Sequence, residues 1–269
     1  MLFIALSVGA LIGVVLGLTG AGGGILAVPA LTLVLGWSMT QAMPIALLAV
    51  GSAAAIGALK GFKKGLVRYR AATLIALTGI LVAPFGQHLA RILPERWLTG
   101  IFSLVMLIVA VRLWRSAVAR TLSDDGVDSK PARARKIQMK TGRIVWSVTS
   151  FATLSVIGIL AGLTTGLLGV GGGFIIVPAL LRCSEITLEG IVATSLMVIA
   201  LVSGGAFLSV WMTGHVIPSD SSGAFIIGTA LGLSLGMQHA DKISKQYVFQ
   251  LLSVLIIAVS LLMLNKTFL

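Results

Sequence analysis

The chain has 269 residues, of which 57% are hydrophobic and 10% charged, and its mean hydropathy is +1.07. So apolar a composition excludes a soluble domain and predicts a polytopic membrane protein. The formal net charge of +12 does not indicate a nucleic-acid-binding surface, because the basic residues are grouped in loops that flank apolar runs, as positive-inside topology signals are.

The first part of the chain alternates apolar runs with short polar loops. An apolar run at residues 2–18 is followed by a glycine-rich break and a short apolar run at 24–36. Each of these runs is too short to cross a bilayer comfortably, since a crossing helix needs about 20 residues. Full spans are predicted at residues 42–59, 71–90 and 97–114. The loop at residues 60–70 carries five basic residues, so we expect it in the cytoplasm.

A polar segment divides the chain, and the pattern then starts again. Residues 115–143 are mixed in charge and contain Pro131, which predicts a solvated, basic, cytoplasmic linker. Further apolar runs are predicted at residues 144–168, 174–181, 190–212, 223–239 and 247–264. The predicted organisation is a first transmembrane repeat at residues 1–114, the linker, and a second transmembrane repeat at 144–269.

A glycine-rich motif occurs once in each half. Residues 17–31 and 166–180 agree at 10 of 15 positions, with Gly20–Gly24 matching Gly169–Gly173. Consecutive glycines are unfavourable in a helix, so each motif predicts a break before a second, short helix. The free amides at the start of that helix suit an anion. Close helix packing in lipid is the alternative, but packing glycines are usually spaced four apart, which favours unwound backbone lining a site.

The charges of two equivalent loops predict inverted repeats. Loop 60–70 has five basic residues, whereas its counterpart at 213–222 has none. Parallel repeats would put both loops in the cytoplasm, while inverted repeats put the neutral loop outside. Each unit must then cross the membrane a net odd number of times, so the segment around each break makes a re-entrant excursion. The predicted fold is an all-α polytopic membrane protein of two inverted-topology repeats, with about eight full transmembrane helices plus glycine-broken short helices.

These features resemble the sulfite exporter TauE/SafE family, also called anion permeases of the toluene-sulfonate-uptake type. The resemblance rests on the doubled glycine motif with its trailing Val-Pro-Ala-Leu, on Val192–Leu196 and on the basic linker, and it covers essentially the whole chain. It implies a multi-pass protein of the bacterial inner membrane that transports small sulfur-containing anions such as sulfite, sulfoacetate or related sulfonates. In the first half, Ile45 and Ala46 stand where Thr194 and Ser195 stand in the second, so the hydroxyl pair is one-sided.

Substrate contacts are predicted from the two breaks and from polar residues near them. The hydroxyls of Thr194 and Ser195 either donate to the anion or bond back to the preceding helical turn. Gln41, before the first full span, is either a helix cap or a ligand. Thr164 and Thr165 are weaker candidates. The full set of predicted substrate-binding residues is Thr19, Gly20, Gly22, Gly23, Gly24, Gln41, Gly169, Gly171, Gly172, Gly173, Thr194 and Ser195.

The predicted function is that of a secondary transporter, and an exporter of these anions, with a passive anion channel of the same architecture as the alternative. No Asp or Glu lies inside a predicted span, so a coupling ion would use hydroxyls, backbone carbonyls or a histidine. No second ligand stands at metal spacing from His88, His215 or His239, and no nucleophile–base set or nucleotide-binding loop is present, so no enzyme, metal or cofactor is expected. The expected partners are the anion and membrane lipid, without nucleic acid; the coupling ion and a homo-oligomer stay open.

Overall fold

The computed structural model of the chain describes residues 1–20, 23–122, 139–140, 143–144, 148–183, 187–212, 219–240 and 245–268. Its elements in these ranges are α1 (Leu2–Thr19), a 3₁₀ helix (Gly23–Leu26), α2 (Ala27–Val34), α3 (Met39–Lys63), α4 (Tyr69–Ile92), α5 (Glu95–Leu122), β1 (Met139–Lys140), β2 (Arg143–Ile144), α6 (Val148–Leu168), α7 (Gly173–Cys183), α8 (Leu188–Met212), α9 (Ser219–His239) and α10 (Lys245–Phe268). The two strands form a short antiparallel ladder.

The predicted all-α polytopic fold is confirmed. Among the described residues, seven helices are long and apolar enough to cross a membrane, and α2 and α7 are shorter. Helix α9 has the same 21-residue length as α6 and packs along α1. Large apolar side chains face outward, for example Leu77, Leu81 and Phe85, which lie four residues apart on one side of α4. Such a face is suited to lipid rather than to water.

The predicted linker differs from the structure at both ends. Helix α5 continues to Leu122 instead of ending at Trp114, because residues 115–122 contain neither Gly nor Pro and their residue types favour a helix even where they are no longer apolar. Helix α6 begins at Val148 rather than at 144, since Ile144 belongs to strand β2. The middle of the predicted linker, residues 123–138, lies outside the described residues.

Two pairs of helices pack closely through glycines spaced four apart. Gly9, Gly13 and Gly17 of α1 lie against Phe225, Thr229 and Leu233 of α9 in the same order, so α1 and α9 run parallel. In the second pair, Gly158, Gly162 and Gly166 of α6 lie against α4 near Ile75, Gly79 and Ala83, again in parallel. A Cβ atom at any of these glycines would overlap the partner's backbone. These glycines follow the small-residue pattern usual for packed membrane helices.

Helices α3 and α8 form the centre of the bundle and run antiparallel. Gly51, Gly57 and Gly61 of α3 lie against Ser203, Leu196 and Ala193 of α8, in reverse order. Within its most apolar window, α3 is 72% buried, whereas α5 and α10, which pack on each other, are 33% and 28% buried. The outer pair therefore faces lipid, and the inner pair is surrounded by protein.

The helix packing follows a regular pattern when the helices are divided into two units, α1–α5 and α6–α10. The first helix of each unit packs on the fourth helix of the other, as α1·α9 and α4·α6 show. The third helices pack on each other, and so do the fifth helices. Because the equivalent helices α3 and α8 are antiparallel, the axis that relates them lies across the bundle rather than along it. This arrangement favours inverted over parallel repeats.

Candidate functional site

The first glycine break reverses the chain at the end of α1. Gly20 has a φ of +80° and donates its amide hydrogen to the carbonyl of Leu16. The buried hydroxyl of Thr19 donates to the carbonyl of Val15 at 2.7 Å and accepts from the amide of Gly23 at 3.1 Å. Thr19 thus holds the turn together, and the chain enters the 3₁₀ helix alongside α1. Gly22 lies outside the described residues.

The second break contains left-handed backbone and free amides. Gly169, Gly171 and Gly172 have φ values of +71°, +76° and +65°, which side chains other than glycine rarely adopt. Helix α7 then begins at Gly173, where the carbonyl of Gly172 accepts from the amides at 175 and 176. The buried amides of residues 171–173 have no hydrogen-bond partner among the described residues. They form a group of donors at a positive helix end.

Equivalent contacts hold the two breaks against the central helices α8 and α3. A Cβ at Gly20 would overlap Val192 of α8, and a Cβ at Gly169 would overlap Met43 of α3. Gly169 is 149 residues after Gly20, and Val192 is 149 residues after Met43, so the two contacts occupy equivalent positions in the repeat. The breaks therefore reach α8 and α3 in matching ways.

The two breaks meet near the middle of α3. A Cβ built on Gly24 would lie 3.1 Å from Cγ1 of Val50 and 3.3 Å from the carbonyl oxygen of Val170. A Cβ built on Gly171 would lie 3.5 Å from the same Val50 atom. The structure thus brings Gly24 close to the second glycine run, which is necessary if both breaks contribute to one binding site.

The hydroxyls of Thr194 and Ser195 are bonded within the protein. Thr194 Oγ1 donates to the carbonyl of Gly190 at 2.6 Å and accepts from the amide of Arg68 at 3.1 Å. Ser195 Oγ donates to the carbonyl of Val192 at 2.8 Å. Of the two alternatives open from the sequence, the structure shows the bond to the preceding turn. Thr194 in addition ties α8 to the start of α4.

Gln41 acts as a helix cap in this structure. Its amide donates to Ser38 Oγ, and its side-chain oxygen accepts from the amide of Ser38, both at 3.4 Å, which is a capping box at the start of α3. Gln41 is exposed and lies at the opposite end of α3 from Lys60. Gln41 lies two residues before Met43, against which Gly169 of the second break packs, but its side chain is used by the cap.

Ser203 of α8 is a candidate that the sequence prediction missed. It is fully buried, and its Oγ has no hydrogen-bond partner. That Oγ would lie 2.9 Å from a Cβ built on Gly171. The sequence offered one signal, a serine followed by two glycines inside an otherwise apolar run. Comparison of the two halves of the chain gave no signal, because the position equivalent to Ser203, 149 residues earlier, is Ala54.

A cavity of about 910 Å³, called the vestibule here, leads from one face of the bundle to the second break. At its outer end lie Lys63 and Lys64, which are exposed, and half-buried Lys60. At its inner end lie Gly173 and Phe174, both buried. The described lining also includes Thr19, Gly20, Arg112, Thr164, Val192 and Glu189. Four cationic side chains and one carboxylate give the vestibule a positive field, which concentrates anions.

Comparisons with known proteins agree with this architecture. A family whose description is "Sulfite exporter TauE/SafE" matches residues 5–263. Two proteins described as "Probable membrane transporter protein" are similar along their length, both from Xylella fastidiosa. The one from strain 9a5c is 28% identical over 264 residues, and the one from strain Temecula1 is 27% identical over 270 residues; each alignment covers 97% of this chain and 94% of the relative. No solved structure matches significantly.

Proposed function

Because the chain belongs to the sulfite exporter TauE/SafE family, we propose that it is a secondary transporter that exports small sulfur-containing anions such as sulfite, sulfoacetate or related sulfonates. The coarser part of this statement follows from the family, from the relatives and from the seven apolar helices: the chain is a multi-pass membrane transporter. The anion, its site and the direction of transport are the proposal.

The vestibule is the observation that carries the proposal. It joins cationic side chains at the surface to the start of α7, where buried amides have no partner among the described residues. Both ends of this path attract negative charge, the outer end through lysine and the inner end through backbone donors and the helix dipole. A cation would be repelled by this arrangement, and a neutral solute would gain hydrogen bonds without the attraction between opposite charges. Oxygens of a small anion such as sulfite are suited to such donors.

The orientation follows from the charge of the loops. The outer end of the vestibule lies at the loop between α3 and α4, where Lys63, Lys64 and Arg68 are grouped. By the positive-inside rule this face is cytoplasmic, so the structure corresponds to an inward-facing state. A membrane potential that is negative inside drives an anion outward by about 2.3 kcal/mol per charge per 100 mV. Export therefore needs no carboxylate relay, and none lies within the described part of the spanning helices between their first and last turns.

Inverted repeats provide the second state that such a transporter needs. We infer that α1–α5 and α6–α10 are inverted units, because α3 and α8 pack antiparallel and because Gly20 and Gly169 make matching contacts. Exchanging the conformations of the two units would close the present vestibule and open an equivalent one on the other face.

Counterflow in proteoliposomes tests the function. Purified protein is reconstituted with unlabelled sulfite inside, and the uptake of labelled sulfite from outside is followed. With the membrane potential clamped, a transporter gives transient accumulation above equilibrium and a saturable rate, whereas a passive channel gives neither. The same assay with sulfoacetate and with sulfate ranks the anions. Lack of saturation would support the channel, and lack of flux with every sulfur anion would refute the proposal.

A further inference from the structure

Ser203 is an exception among the buried hydroxyls of the described residues. The hydroxyls of Thr165, Thr194, Ser195 and Thr229 each donate to a carbonyl three or four residues earlier in their own helix. Ser203 is as completely buried as these side chains, yet its Oγ bonds to nothing. A buried hydroxyl without a partner costs free energy, so its position needs a reason.

The surroundings of Ser203 supply donors and dry walls, and they are closely packed. Its Oγ would lie only 2.9 Å from a Cβ at Gly171, whose φ of +76° keeps its backbone out of a helix. Val50 and Ile199 approach the same glycine with apolar atoms. Two residues further on, Gly173 forms the inner end of the vestibule. Ser203 and Gly171 are not among the residues that line the vestibule, so an anion reaches Ser203 only when the packing between Gly173 and Gly171 opens.

We propose that Ser203 Oγ donates a hydrogen bond to an oxygen of the transported anion, which the free amides of residues 171–173 bind from the other side. The assignment rests on the proposed function and adds a specificity-determining residue to it. The hydroxyl comes from one unit only, because Ala54 stands at the equivalent position. The hydroxyl contact to the anion is therefore one-sided, and it lies beside the free amides of the second break.

The test uses Ser203→Ala in the full chain, with sulfite as the probe. The half-saturation concentration for sulfite flux is expected to rise about tenfold or more, as loss of a hydrogen bond to a charged group predicts. The melting temperature of the sulfite-free variant should stay the same or rise, because an unpaired buried hydroxyl has been removed. Added sulfite should stabilise the wild type and stabilise the variant much less. Ser203→Cys, of similar size and with a weaker donor, should give an intermediate half-saturation concentration.

Ser155→Ala is the matched control. Ser155, on α6, also has a buried Oγ without a partner, but it is not among the residues that line the vestibule or contact the breaks. Its half-saturation concentration should equal that of the wild type. If Ser203→Ala also matches the wild type, or if it melts lower without sulfite, Ser203 serves the fold and the assignment is overturned. A wild type that transports no sulfur anion would overturn the proposed function, and the assignment with it.

Discussion

Gly24→Ala is the most informative single change at the breaks. Gly24 does not have a positive φ, so an alanine can keep the backbone conformation. The new methyl group would lie 3.1 Å from Val50 Cγ1 and 3.3 Å from the Val170 carbonyl oxygen, so both must move by a few tenths of an ångström. This crowding costs about 1 kcal/mol. Alanine regains about 1 kcal/mol over glycine in a helical turn. The free energy of unfolding should therefore change by less than about 1 kcal/mol.

Transport should suffer far more than stability. The methyl group would stand between the two breaks, where the structure brings Gly24 and Val170 together. An anion held by backbone amides needs close approach, and a misplacement of about 1 Å can cost a hundredfold in rate for a positioned reactant. We expect sulfite flux to fall at least about tenfold per folded molecule. Gly23 and Gly172 are less informative, since a Cβ there would overlap backbone atoms of Leu16 or Ala161 and would disturb the fold directly.

The assay measures detergent melting temperature and proteoliposome flux on the same preparations. Gly100→Ala on α5 is the control, because a Cβ at Gly100 has no atom within 4 Å, and its flux should equal that of the wild type. The double variant Gly24→Ala/Val50→Ala removes the closest contact. If flux falls no further than the folded fraction, or if Val50→Ala restores it, Gly24 serves helix packing and the reasoning fails.

Three further expectations concern the vestibule, Thr194 and the second state. A charge at about 10 Å in water contributes about 0.4 kcal/mol to binding a monovalent anion. Replacing Lys60, Lys63 and Lys64 by Gln should therefore raise the half-saturation concentration for cytoplasmic sulfite about eightfold at low salt, and much less at physiological salt. Equal effects at both salt concentrations, or the same effect from Arg70→Gln outside the lining, would show that the vestibule lysines do not act by electrostatic attraction. Thr194→Val removes two hydrogen bonds and should lower the free energy of unfolding by about 1–3 kcal/mol, while the sulfite affinity of the folded protein stays unchanged. A weaker affinity at unchanged stability would indicate that Thr194 binds the anion. Met43, buried here, is equivalent to Val192 in the vestibule lining, so Met43→Cys in a Cys183→Ser background should react with an impermeant maleimide from the periplasm only during sulfite flux. Persistent protection of Met43→Cys under turnover would count against an outward-facing vestibule.

The helices and breaks could be predicted from the sequence because local physics determines them. Apolar runs predicted most of the spans, and consecutive glycines marked the ends of α1 and α6. The run at residues 2–18 was wrongly predicted to be too short to cross, because it forms α1, which is among the seven described helices long and apolar enough to cross a membrane. The spacing of the glycines also helped to separate their roles: those four apart, such as Gly9 and Gly13, pack helices, whereas Gly171 and Gly172 in the second consecutive run have positive φ. The end of α5 was misplaced because a helix that leaves the membrane keeps its hydrogen bonds while its hydropathy falls.

The polar contacts could not be predicted, because they depend on which neighbour a hydroxyl finds. Thr194 and Thr19 stand beside sequence motifs, yet their hydroxyls bond to carbonyls of their own helices. Ser203 carries no motif, and its free Oγ results from its position opposite Gly51 and Gly171, which are distant in sequence. The vestibule likewise is formed by ends of helices from both halves of the chain.

The cationic side chains of the vestibule are not repeated in the other unit, and this limits what they can do. The equivalents of Lys60 and Lys63, 149 residues later, are Ser209 and Met212, and Leu262 stands 150 residues after Arg112. A vestibule on the opposite face would thus be neutral at these positions and would hold an anion less tightly than the cytoplasmic one. Unequal affinity on the two faces cannot set the direction of net transport, because the gradient and the membrane potential determine the equilibrium. Under the proposed function it would set the concentrations at which each face saturates, so that efflux would begin at low cytoplasmic sulfite while the outer site would release its anion even when sulfite had accumulated outside.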